Sequence, residues 1–153
     1  MATPIPFRLQ KRDNSRMDLS LTERTKEGVV IIDAKGAIVA GDGADRLRDR
    51  IKALAEAGTP NAVLNLAQVD YIDSSGLGAL VMSYSTLKKK DGALKLLNLT
   101  RRNVELLVLT KLETVFEVFD DEQNAVNSFF PNREIKKFDI LAFLQQRKKG
   151  AGE

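Results

Sequence analysis

The densest run of chemically able side chains in the sequence is Asp73-Ser74-Ser75, followed at once by Gly76-Leu77-Gly78. A carboxylate and two hydroxyls lie here between an apolar stretch and a helix-forming one. Such groups satisfy the free backbone N–H groups of a helix's first turn, and each of the three residues qualifies as the N-cap. The two glycines need a further reason. Each weakens a helix interior by about 1 kcal/mol relative to alanine, so Gly76 and Gly78 point to a close approach by backbone or by a partner. Leu80 reads as core, whereas Leu77 divides evenly between core and surface.

Much other chemistry is excluded. The chain contains neither cysteine nor histidine, which removes disulfides, thiolate catalysis, a Ser-His-Asp triad and the usual zinc or haem ligand sets. Carboxylates remain for magnesium or acid–base work, but no pattern in the sequence brings them together. Gly41-Asp42-Gly43 starts like a dinucleotide fingerprint, yet Arg46 stands where its third glycine would be. The net charge of +3 is modest, and the basic residues gather in Arg8–Arg16 and Arg147–Lys149. These runs are short and lack interleaved aromatics, so direct nucleic-acid binding is not expected. The expectation is a non-enzymatic chain with no cofactor.

The elements that must position residues 73–78 follow from periodicity. At 153 residues, 43% of them apolar and 29% charged, the chain suits one compact domain. No apolar run nears the roughly 18 residues of a membrane span, and the start lacks the apolar core of a secretory signal, which places the chain in the cytoplasm. Residues 18–39 read as a hairpin turning at Glu27-Gly28. Asp42 then caps a helix with Ala44, Leu47, Ile51, Leu54 and Ala55 on one face, stopped by Gly58-Thr59-Pro60. Residues 62–66 form a buried strand, VDYIDSSG a turn, and a helix runs from about Ser75 to Lys90.

A further strand, ALKLLNL, suits parallel pairing, and the right-handed crossover rule sets the preceding helix on one face of the sheet. A helix over about 101–112, a strand TVFEVF and a helix capped by Asp120 or Asp121 complete the order β-β-α-β-α-β-α-β-α. The boundaries expected are 1–17 for a basic N-terminal extension, 18–131 for the domain, and 132–153 for an amphipathic helix with a basic tail. That last helix begins near Ile135, carries Phe138, Leu141 and Leu144, and packs on its own domain or on a second copy. A homodimer is thus left open.

NLAQVDYIDSSGLGALV resembles the signature of STAS domains, and in particular of anti-sigma factor antagonists, in which a strand runs into Asp-Ser-Ser-Gly-Leu-Gly at a helix head. The likeness covers about residues 18–130 and includes the closing VFEVFDDEQNAVNSF. It implies an α/β fold: a STAS-type mixed β-sheet with an N-terminal hairpin and four helices packed against it, the C-terminal helix being extra.

The resemblance further implies that Ser74, the first serine of the pair, accepts phosphate from a serine kinase that is also the anti-sigma factor. The unphosphorylated chain would bind that partner and release a sigma factor, phosphorylation would end the binding, and a serine phosphatase would restore it. A phosphate at a helix start is tolerated electrostatically, whereas a dianion buried at an interface without cations is costly. Asp73, Ser75, Gly76, Leu77 and Gly78 are then the partner-binding candidates, with Asp73 orienting or tuning the acceptor. The family often shows Gly-x-Leu-Asp before the first helix. Here Gly36-Ala37-Ile38-Val39 puts valine at the acidic position, which implies a different cognate kinase or another signalling branch. The competing expectation is a STAS adaptor subunit of a larger sensory or lipid-transport assembly.

Overall fold

The computed structural model describes residues 18–152. The expected basic extension 1–17 lies outside the described residues, as do the side chains of 147–153 and with them the basic run Arg147–Lys149. Five strands form one sheet in the order β1 (Ser20–Lys26), β2 (Val29–Ile38), β3 (Asn61–Ile72), β4 (Ala93–Leu97), β5 (Val118–Phe119). The β1–β2 hairpin is antiparallel and every other pair is parallel. Glu27 and Gly28 both adopt positive φ at the hairpin turn, the left-handed backbone that its twist requires. The mixed sheet and its N-terminal hairpin are as expected.

Strand alternation divides the core between two faces. Val30, Ile32, Ala62, Leu64, Leu94 and Leu96 face one layer, packed by helices α1 (Asp42–Glu56) and α2 (Ser74–Lys88). The expected stripe of α1 is indeed its buried face. Val29, Ile31, Val63 and Leu97 face the other layer, where Ala125 and Val126 of helix α4 (Glu122–Asn127) cover them. Helix α3 (Arg101–Leu109) adds Leu107 to the first layer. Arg24 clamps the hairpin to α4, bonding Asp33 at 2.7 Å and Glu122 at 2.6 Å, and these contacts hold both carboxyls below their usual range.

Several boundaries differ from the sequence reading. Residues 69–72, read as part of a turn, continue β3. Val69 and Ile72 are buried, and a register irregularity near Gly36 lets Ala37 pair with Tyr71 and Ile38 with Ile72. Asp42 is not the cap of α1. Gly41 takes that position at φ 89°, and the Val39 carbonyl accepts from Ala44 N. Asp42 is the first helical residue and pairs with Arg46 at 3.3 Å, a favourable place for an acid. TVFEVF yields only the two-residue β5, preceded by a 3₁₀ turn at Leu112–Thr114.

The final helix, α5 (Ile140–Gly152), begins five residues later than expected. Asp139 accepts from Ala142 N at 2.9 Å and so caps it there. Residues 132–139 form a non-helical strap in which Ile135 packs into the second layer and Phe138 into the first. The chain therefore crosses from one face of the sheet to the other before α5 docks on α3, where Arg101 donates to the Leu144 carbonyl at 3.2 Å.

Candidate functional site

β3 outruns its neighbour. β4 pairs with it only as far as Asn65, so residues 67–72 project with β2 alone alongside. The Val69 carbonyl in this overhang, without a β4 partner, instead accepts from Nδ2 of the buried Asn103, at 3.0 Å. This bond ties the first turn of α3 to the overhang, consistent with the rule that buried backbone groups find partners. Parallel neighbouring strands thus deliver the starts of α2 and α3 to one edge of the sheet.

Asp73 is the N-cap of α2. One carboxylate oxygen accepts from Gly76 N at 2.8 Å and the other from Ala40 N at 3.0 Å. Neither bonds the Ser74 hydroxyl. Both oxygens accept from backbone donors that join α2 to the β2–α1 loop, so Asp73 braces the helix start, and its charge stays next to Ser74. The Ala40 amide, followed by those of Gly76 and Ser75, holds the carboxyl below its usual range.

We expect Asp73→Ala to cost about 1–2 kcal/mol in urea or thermal unfolding, since it removes a cap and the loop brace together. The depressed folded pKa sets the pH sense. The carboxylate's contribution is complete above the unfolded value of 3.8 and disappears as pH falls through the lower folded value. Acid unfolding of the parent against Asp73→Asn checks this: the parent's advantage should shrink on acidification, and a pH-independent difference would contradict it.

Ser74 is the first residue of α2, exposed, and its hydroxyl bonds no described residue. Ser75 and Gly78 are exposed as well, and a Cβ built on Gly78 would meet nothing within 4 Å. Gly76 belongs elsewhere. It is buried, and a Cβ there would stand 1.9 Å from the Ile38 carbonyl oxygen. Its place among the docking candidates is thus corrected to the helix–strand contact. Leu77 is half-buried against the first core layer, and Leu80 is fully buried.

Ser74 and Leu77 form one wall of a groove of about 720 Å³ together with Tyr71, and Arg102, Leu106 and Leu109 form the other. Leu109 is 81% exposed, and the Arg102 guanidinium stacks 5.0 Å from the centre of the Tyr71 ring. The sequence reading missed this second wall. Leu109 was its available signal, an apolar residue off the stripe that α3 buries. A larger cleft, between β1, β2 and α1, includes none of residues 73–78. Among the described residues no cluster of three acidic side chains is placed to hold a metal, and no helix is long and apolar enough to cross a membrane.

The helix start, with its unbonded hydroxyl, thus stands beside a mostly apolar groove. Residues 20–125 match the STAS domain family, and the chain belongs to it. The anti-sigma-B factor antagonist of Bacillus subtilis strain 168 is 30% identical over 110 residues, which span 72% of this chain and 99% of that protein. A crystal structure of an anti-sigma factor antagonist from Mycobacterium paratuberculosis is 25% identical and superposes with a TM-score of 0.60, covering 72% of this chain and 92% of that one. A Thermotoga maritima crystal structure shares the fold with a TM-score of 0.66 at 20% identity, covering 71% of this chain and 92% of that one.

Proposed function

We propose that this chain is an anti-sigma factor antagonist switched by phosphorylation at Ser74. Unphosphorylated, it docks on an anti-sigma factor that is also a serine kinase, and a sigma factor is released. Transfer of phosphate to Ser74 ends the complex, and a serine phosphatase restores the binding form. The chain acts by binding rather than by turnover, and the nucleotide belongs to the kinase.

One observation carries this reading: the Ser74 hydroxyl is exposed and unbonded, at a helix start set beside a groove large enough to receive a partner. The helix start suits both states. Its unpaired N–H groups and positive partial charge tolerate a phosphate, so modification leaves the backbone in place. The apolar members Leu77, Leu106 and Leu109 supply contact area for the neutral form, whereas a dianion between them would lose its water on docking. The name of the Bacillus subtilis relative, matched over nearly its whole length, supports the sigma-factor setting.

Intact-mass measurement and peptide mapping of the chain purified from its own cells test the proposal. A single phosphate on Ser74, present in some growth conditions and absent in others, is the expected result. Unmodified protein in every condition, with a constant set of co-purifying partners, would replace this reading with that of a constitutive adaptor subunit.

A further inference from the structure

Arg102 stands apart from its charged neighbours. Arg101 pairs with Glu105 at 3.2 Å and donates to the Leu144 carbonyl. Both Asp73 oxygens are held by backbone amides. Arg102, exposed on the first turn of α3, has no ion pair and no hydrogen bond with any described residue, and rests only on the Tyr71 ring. It lines the same groove as Ser74 from the facing wall.

The two walls are held in fixed relation. The buried Asn103, next in sequence, is bonded to the Val69 carbonyl five residues before Ser74. The groove thus sets the unbonded Ser74 hydroxyl opposite an uncommitted guanidinium, and the other charged groups lining it, Asp73 and Glu105, are already engaged.

We propose that Arg102 is the intramolecular counter-ion of a phosphate monoester on Ser74. This rests on the reading of Ser74 as the modified residue. The planar fork of guanidinium donors matches two phosphate oxygens, a stronger contact than a cation over an exposed ring. On phosphorylation the guanidinium leaves Tyr71 and bridges the groove from α3 to the start of α2. A partner must then displace an ion pair lying across the groove as well as accommodate the phosphate.

The test uses the full chain with phosphoserine installed at position 74 by genetic encoding, without the kinase, as parent and as Arg102→Gln. Phosphorus NMR titration should give the parent a second phosphate pKa lower than the variant's by about half a unit or more, as a neighbouring cation requires. The helix start contributes equally to both proteins and cancels. The Tyr71 ring resonances should move on phosphorylation in the parent and stay in the variant, while Arg102→Lys recovers part of the pKa shift. Identical titrations with an unmoved Tyr71 would overturn the pairing. Because the phosphate is supplied synthetically, that failure is separate from finding Ser74 unmodified in cells, which would instead remove the proposed function.

Discussion

Ser74→Asp is expected to weaken binding to the proposed kinase partner by about 100-fold or more while leaving the domain fully folded. Docking must strip water from the new charge, and from Arg102 where the two pair, a penalty of about 2–5 kcal/mol when the partner offers no compensating group. The fold does not share that penalty. Ser74 is exposed on the first turn of α2, where an acidic side chain gains about 0.3–1 kcal/mol from the helix dipole. The melting temperature of Ser74→Asp should therefore equal or slightly exceed the parent's. Ser74→Ala should bind within a few-fold of the parent, because it removes one uncommitted hydroxyl, and should accept no phosphate. Calorimetric titration with the purified kinase, alongside thermal unfolding, separates these effects. Undiminished affinity of Ser74→Asp would remove the charge-based switch.

The second large effect falls two residues along the same helix. Gly76→Ala places a methyl 1.9 Å from the Ile38 carbonyl oxygen and 2.9 Å from both the Ile38 carbonyl carbon and Ile72 Cγ2. Backbone cannot retreat as a side-chain tip can. The same carbonyl also accepts from Asp73 N at 3.3 Å, so displacing it disturbs the helix cap. A loss of about 3 kcal/mol or more is expected, which for a domain of this size lowers the melting temperature by about 6–12 °C. Gly78→Ala is the internal control. With no atom within 4 Å of its new Cβ, it should gain up to about 1 kcal/mol from helix propensity alone. Comparable melting temperatures for the two variants would show that Gly76 does not hold α2 on the sheet.

The contrast between these glycines marks where sequence reasoning reaches its limit. Both signal a close approach, and nothing local distinguishes a glycine pressed on a neighbouring strand from one facing solvent. The partner of Gly76 lies 38 residues upstream in β2, a relation set by strand pairing. The element order, the buried stripe of α1 and the mixed sheet were legible because periodicity and turn residues act over a few positions. Among the boundaries that were not, three have a nameable cause. β3 continued through the apparent turn because β2 remained beside it. Gly41 displaced Asp42 as a cap by entering left-handed backbone. Asp139 started α5 late by capping it inside a run whose apolar spacing also suited a longer helix.

The site was half legible. Its α2 wall sits in one short motif, and the resemblance of that motif to a family drew attention to Ser74. The α3 wall is built from residues about 30 positions further on, brought close by parallel pairing and by the bond from Asn103 to Val69. Tyr71 lies within that motif but Arg102 carries none, and only their shared groove makes them neighbours.

The start of α2 is held on two sides, by Gly76 against β2 and by Asp73 against the β2–α1 loop. In the proposed switch the two forms of the molecule then differ by one ester and the side chains around it, with this backbone held in the same path. The proposed switch would then store its signal covalently, each state lasting as long as the enzymes that make and cut one ester allow.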